Sequence, residues 1–387
     1  MGNKNSKNKN INEKEKSYEK PLNEEILLNI PNPIFKKNKI IFNNVSFFEI
    51  YELHNENKIY FAFINKKENK VFIHKYNNNI NIYEHLLHLN IKSHPFYIKY
   101  IYYPLNKQDY LFIATDSYLY SYLIKNENTY KLRSKIDIFE KYYFKSIKII
   151  YNKFDNNIYF IKYDDICQIL IKKLNINENK FDLKNLVSIK FNFLAHLRFV
   201  SFYENNHSKK LYLLLLERFK FQSIEINDKK SIKLIANEFS NVFQDELHSI
   251  NDQSKFTDFY ALWSLYNACV VYNYNKTDIL CLNFNTNHKL MLIDLIKKEI
   301  ITIIEFEFST PIYDISNWNE KYIILHLKES ILIFDLEINK IISKYNTYID
   351  IIDYDFIKIK TFFSNNKKYC FLFIFDSEGN INNFINS

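Results

Sequence analysis

Two segments of this chain nearly repeat each other 41 residues apart: LMLIDLIKKEII, from Leu290 to Ile301, and ILIFDLEINKII, from Ile331 to Ile342. Each has an apolar run, an Asp-Leu pair, a few polar residues and a second apolar run. A period of this size marks a repeat architecture, in which one small unit recurs because it cannot bury its own apolar face alone. The unit is a β-hairpin: the apolar runs are too short for helices and are separated by polar turns.

The same pattern extends along the chain. Hairpins are predicted over Lys58–Tyr76, Asp109–Ile124, Asn157–Leu174, Lys210–Ile226, Asp278–Leu295, Lys321–Leu336 and Lys368–Ile385. Most are preceded by one more apolar run, such as Phe96–Tyr103, Ser146–Tyr151 or Leu197–Tyr203, which would supply an innermost strand. The 35 Phe and 31 Tyr favour strands over helices, and a hydrophobic content of 47% is ample for a core. Gly occurs only at Gly2 and Gly379, so turns that need positive φ are expected to fall to Asn and Asp. The last hairpin ends at the C-terminus without a fourth strand. The run Lys39–Phe42 would complete it and close a ring, leaving no exposed inner seam.

These features resemble a degenerate WD40-repeat β-propeller, here seven-bladed and covering residues 37–387. Asp294 and Asp335 stand where that family ends a strand with Asp after Trp, with Ile293 and Phe334 in the Trp place. Asp116 and Asp376 match the Asp of the turn between second and third strands, and His94 matches the repeat-opening His. No blade keeps the Trp, so the side-chain tetrad that braces a typical blade cannot form in full. The resemblance implies a non-enzymatic scaffold that binds other proteins across its faces.

Two places break the period. Within 237–256, Phe239, Val242, Phe243, Leu247 and Ile250 recur at helical spacing, so a helical insertion is expected there. Residues 175–185 are polar and read as a loop. Residues 1–36 carry many charges, three prolines and few large apolar side chains, and read as a flexible tail.

The tail begins MGNKNSK. With Met1 removed, Gly2 would offer its amino group for N-myristoylation, with Ser6 at the hydroxylic position of that pattern. Lys4, Lys7 and Lys9 would add attraction to an anionic leaflet. The expectation is a reversible peripheral attachment at a cytoplasmic membrane face. No stretch approaches a membrane span, and no apolar leader opens the chain.

Catalytic motifs are missing where Gly would be needed: no P-loop, dinucleotide fingerprint or nucleophile elbow is present. His85, His88 and His94 cluster in sequence but read as packing or solvent contacts, Asp164 and Asp165 as a hairpin turn, and no cofactor or metal is implied. Cys167, Cys269, Cys281 and Cys370 are widely spaced, which argues against zinc or a disulfide framework and for a reducing compartment. The net charge of +8 comes from 52 basic against 44 acidic residues without a basic arm. The alternative reading is a soluble RNA- or ribonucleoprotein-associated propeller using its Lys- and Tyr-rich surface. On the first reading the ring is a monomer that meets other proteins and a membrane.

Overall fold

Alternation of short apolar runs with polar turns yields an all-β structure. The computed structural model describes residues 35–37, 42, 44–54, 56, 58–65, 67–77, 82–138, 146–163, 168–176, 181–190, 197–217, 220–226, 234–235, 266–284, 289–306, 312–327, 330–346, 358–363, 370–375 and 381–386. These belong to a compact unit running from Ile34 to Ser387. Among the described residues there is no helix. The expected insertion at 237–256 and the tail with Gly2, Lys4, Lys7 and Lys9 lie outside them.

The strands pair, antiparallel throughout, into seven four-stranded sheets. With strands lettered A to D from the inside outward, blade 1 is Val45–Glu52, Ile59–Asn65, Lys70–Asn77 and Ile82–Asn90. Blade 2 is Pro95–Tyr103, Gln108–Thr115, Tyr118–Asn126 and Thr129–Asp137. Blade 3 is Ser146–Asn152, Asn157–Tyr163, Gln168–Ile176 and Phe181–Lys190. Blade 4 is Leu197–Asn205, Lys210–Glu217, Lys220–Ile226 and Leu234–Ile235. Blade 5 is Tyr266–Tyr274, Thr277–Phe284, Lys289–Asp294 and Glu299–Glu305. Blade 6 is Asp314–Asn317, Tyr322–His326, Ser330–Asp335 and Lys340–Asn346. Blade 7 is Lys358–Phe363, Cys370–Phe375, Ile381–Asn386 and, from the other end of the chain, Phe35–Lys37. Among the described residues the D strand of blade 4 spans only Leu234–Ile235.

Apolar side chains fill most gaps between blades. Tyr60 and Ile73 meet Ile98 and Leu111 between blades 1 and 2, and Phe112 and Leu123 meet Ile149 and Phe160 between blades 2 and 3. Ile161 and Ile171 pack with Leu213 and Ile224, Leu214 with Leu280 and Met291, and Leu292 with Leu325 and Phe334. Blades 6 and 7 are tied by Ser316 Oγ and Thr361 Oγ1 at 3.0 Å. Ile381 of blade 7 joins Phe48 and Phe61 of blade 1, which closes the circle. Each fully buried large apolar side chain contributes about 1.5–3 kcal/mol, so these seams are where the ring's stability resides.

The closing strand is placed differently from the sequence expectation. Phe35, Lys36 and Lys37 pair with Asn386, Ile385 and Phe384, while the run Lys39–Phe42 contributes a single bridge, Phe42 to Ile381. The physical reason is that an outer strand needs backbone pairing more than apolar content, and lysines are well suited to an edge. Phe42 takes the apolar role instead, stacking on Phe61 with ring centroids 4.9 Å apart. A second correction concerns 175–185, read as a loop. Its described residues belong to strands C and D of blade 3, a hairpin whose lysines and asparagines hid the strand pattern.

Turns solve the shortage of glycine with Asn and also with Lys. Positive φ occurs at Asn44, Asn156, Asn273, Asn275 and Asn339, and at Lys107, Lys209, Lys276 and Lys298. Asp, expected to share this duty, acts one step earlier. Asp294 Oδ1 accepts hydrogen bonds from the backbone N–H of Ile296 and Lys297, and Asp335 Oδ1 from those of Glu337 and Ile338. Lys298 and Asn339 then turn left-handed at equivalent places in the two repeats. The carboxylate that binds the turn and the residue that bends it are separate parts of one device.

Candidate functional site: the hairpin face and the central channel

In a four-stranded antiparallel blade the A–B and C–D turns emerge at the same end, so every such turn of the ring lies on one face. That hairpin face carries an unusual set of exposed apolar side chains. Leu105 in the A–B turn of blade 2 is 65% exposed, and Ile338 in the C–D turn of blade 6 is 54% exposed. Ile296, in the C–D turn of blade 5, is also exposed, as are Ile82, Ile301 and Ile341 near the turn-side ends of their D strands. Turns are normally polar, and large apolar residues there satisfy no packing demand. The signal was present in the sequence: Ile296 and Ile338 interrupt the polar turns of the 41-residue repeat.

Several charges on this face are paired. Lys58 and Lys75 both reach Glu127, at 2.9 and 3.1 Å, which links blade 1 to the C–D turn of blade 2. Lys153 meets Glu204 at 2.6 Å across blades 3 and 4, and Lys321 meets Glu337 at 2.7 Å. Beneath them tyrosines and carboxylates lock neighbouring strands. Tyr51 and Tyr130 share a hydroxyl hydrogen bond of 2.7 Å, Tyr60 donates to Glu56 at 2.6 Å, Tyr100 donates to Asp109, and Tyr203 donates to Asp278 at 2.9 Å. Burial raises the Asp109 carboxyl above its usual range against the opposing pull of the Tyr100 hydroxyl.

The channel between the A strands of blades 1 to 4 holds a cavity of about 380 Å³, lined in part by Phe47, Glu49, Tyr97, Lys99, Lys148 and Phe202. Glu49 is buried, and Lys99 donates to its Oε1 at 2.8 Å. Burial alone would lower the Lys99 ammonium. The Glu49 carboxylate, with Tyr97, more than offsets it, so the ammonium is held above its ordinary range. Tyr97 also crosses to blade 3, its hydroxyl accepting from Ile149 N at 3.1 Å. This pairing gives the channel a fixed charged wall and was invisible to sequence reasoning, because Glu49 and Lys99 belong to different blades.

The residues singled out in the sequence divide as follows. Asp294 and Asp335 are buried at their strand ends, and Ile293 and Phe334 are buried behind them. His94 and Asp116 are both exposed and do not meet: His94 Nδ1 lies 3.2 Å from Asn69 Oδ1. Ser93 and Thr115 make the link in their stead, Ser93 Oγ donating to Thr115 Oγ1 at 2.8 Å. His85 and His88 lie on strand D of blade 1, away from His94; His85 Nδ1 lies 3.4 Å from Nε2 of His74 on strand C, and the His88 ring stacks on that of His85. Among the described residues no three His, Cys, Asp or Glu side chains converge as a metal site. Cys269 and Cys281, twelve residues apart, are register partners and buried free thiols. Asp164, Asp165, Cys167, Asp376 and the tail lie outside the described residues.

No family model and no curated protein sequence matches the chain. Solved structures do match. The structure of Saccharomyces cerevisiae Sqt1 aligns with a TM-score of 0.54 at 14% identity, over 90% of this chain and 87% of that one. A dihydro-heme d1 dehydrogenase, NirN, aligns with a TM-score of 0.50 at 10% identity, over 89% of this chain and 66% of that one. At such identities the likeness concerns the fold alone. The fold they share is a β-propeller of four-stranded antiparallel blades.

Proposed function

We propose that this protein is a non-enzymatic interaction scaffold whose hairpin face docks other proteins and whose N-terminus tethers it reversibly to a cytoplasmic membrane face. The observation that carries the first part is the set of solvent-facing apolar side chains, Leu105, Ile296, Ile301, Ile338 and Ile341, on the hairpin face. A surface with exposed apolar anchors suits a protein partner.

The tether rests on the sequence MGNKNSK. One myristoyl chain gives marginal binding of about 10⁴ M⁻¹, and Lys4, Lys7 and Lys9 add about 1 kcal/mol each at an anionic surface. Two separable variants test the two parts. Gly2→Ala should abolish myristate incorporation and move the protein to the soluble fraction while leaving its bound proteins in place. Ile296→Lys with Ile338→Glu should strip bound proteins while leaving membrane recovery unchanged. A Gly2→Ala variant recovered with membranes like wild type would refute the tether. An isoleucine variant with an unaltered set of bound proteins would refute the docking face.

A further inference from the structure

We infer that the central channel, beside the A strands of blades 1 to 4, is a binding site for a small organic anion with a flat apolar body. The docking reading of the hairpin face does not use this channel, and the two stand or fall separately. The cavity of about 380 Å³ falls within the range of small-molecule sites, roughly 300–1,000 Å³, and its described lining mixes rings with a few charged groups, as such sites do. Phe47, Tyr97 and Phe202 supply aromatic walls, and Glu49, Lys99 and Lys148 supply the charge.

The backbone presents these side chains through β-bulges. In the A strands of blades 1, 2 and 4 the register with strand B slips by one residue, leaving Ser46, Phe96 and Val200 as the extra residues. The next residue along in each strand, Phe47, Tyr97 or Ser201, lines the cavity. A bulge re-aims the side chains around it, and bulges gather next to active sites. Glu49 and Lys99 follow two positions after Phe47 and Tyr97, so strand alternation sends them to the same side. The walls are also fixed in place. The Phe47 and Tyr97 rings pack with centroids 5.0 Å apart, and the Tyr97 hydroxyl is held by Ile149 N across the gap to blade 3.

The charged groups set the sign of the ligand. Among the described lining residues, two ammonium groups stand against one carboxylate. Glu49 takes one of the three N–H donors of Lys99 at 2.8 Å, so among the described residues two are left for a ligand. The same carboxylate offsets the burial of Lys99 and holds its ammonium charged. Lys148, on the neighbouring A strand of blade 3, brings a second positive charge to the same space. An anionic head group meeting both lysines would accept charge-assisted hydrogen bonds, which are stronger than neutral ones and are strengthened further away from bulk water. Ile98, Ile149 and Ile150 leave the rest of the described wall apolar, which suits a flat ring system better than a sugar or a bare inorganic ion.

The test is calorimetric titration of the full chain with 2-naphthoate and with 2-naphthylmethanol, a neutral probe with the same rings. The wild type should bind one equivalent of 2-naphthoate, about tenfold or more tightly than the alcohol, as a charge-assisted contact requires. Lys148→Met keeps the apolar stem and removes the charge, so it should weaken 2-naphthoate about tenfold and leave the alcohol unchanged. Ser201→Leu fills the space with every charge kept, and should remove binding of both probes. Lys131→Met, on the outer strand of blade 2, should alter neither. A melting temperature taken for each variant establishes that the ring is folded before titration. Absence of 2-naphthoate binding by the wild type, equal affinity for the two probes, or unchanged 2-naphthoate binding by either Lys148→Met or Ser201→Leu would overturn the site.

Discussion

Replacing His326 by Leu should make the ring more stable and, more tellingly, less sensitive to acid. His326 ends strand B of blade 6 with no exposed surface, and among the described residues neither ring nitrogen has a hydrogen-bond partner. Burial pushes its pKa down to about 3. In the unfolded chain the same imidazole titrates near its ordinary value, about 6.5. The unfolded state therefore binds a proton that the folded state refuses, so the stability present above the unfolded value is lost progressively as pH falls toward 3. Integrated from pH 7 to pH 5, one such group costs about 2 kcal/mol. At pH 7, where both states are neutral, the unpaired nitrogens still carry a desolvation cost of about 1–3 kcal/mol that leucine avoids. Urea unfolding followed by aromatic fluorescence, at pH 7 and pH 5, reads both effects. The advantage of His326→Leu over wild type should begin near 1 kcal/mol and widen by about 2 kcal/mol on acidification. A gap that stays constant between the two pH values would mean that His326 titrates normally, and the argument from its burial would fail.

Phe42→Ala should loosen the ring at its seam. It removes a half-buried ring that stacks on Phe61 and Phe63 at 4.9 and 4.5 Å, at a cost of about 2–3 kcal/mol. Amide exchange over Ile381–Asn386 should accelerate, and unchanged exchange there would rule out a role for Phe42 in closure. Lys99→Met removes the Lys99 ammonium from the buried Glu49 carboxylate in the channel wall. Because Lys99 opens onto the channel, the loss should be moderate, about 1–3 kcal/mol, and adding Glu49→Gln should recover part of it. A Lys99→Met chain as stable as wild type would show that the pair does not hold the inner strands.

The repeat near Asp294 and Asp335 made the hairpins legible because a hairpin is local: its strands, its turn and its carboxylate cap lie within about a dozen residues. The buried Ile293 and Phe334 were equally readable, since their apolar runs carry the pattern of a strand packed on both faces. The D strands were harder. Thr129–Asp137 is largely exposed and alternates the charged Lys131, Arg133, Lys135 and Asp137 with Tyr130, Leu132, Ser134 and Ile136, so no continuous apolar run announces it. Partnerships across blades were not readable at all: Glu49 with Lys99, Tyr203 with Asp278, and Phe35–Lys37 with the chain's other end depend on the order in which sheets pack around the ring. The three histidines show both limits together. Sequence spacing grouped His85 with His88 and His94, whereas a one-residue register shift set His85 opposite His74 and left His94 apart. What the sequence determined by itself was the unit and its repetition, because local periodicity and turn chemistry suffice for a hairpin. Which side chains meet was decided by the tertiary structure, because register, bulges and ring closure are set by packing between segments that no local pattern connects.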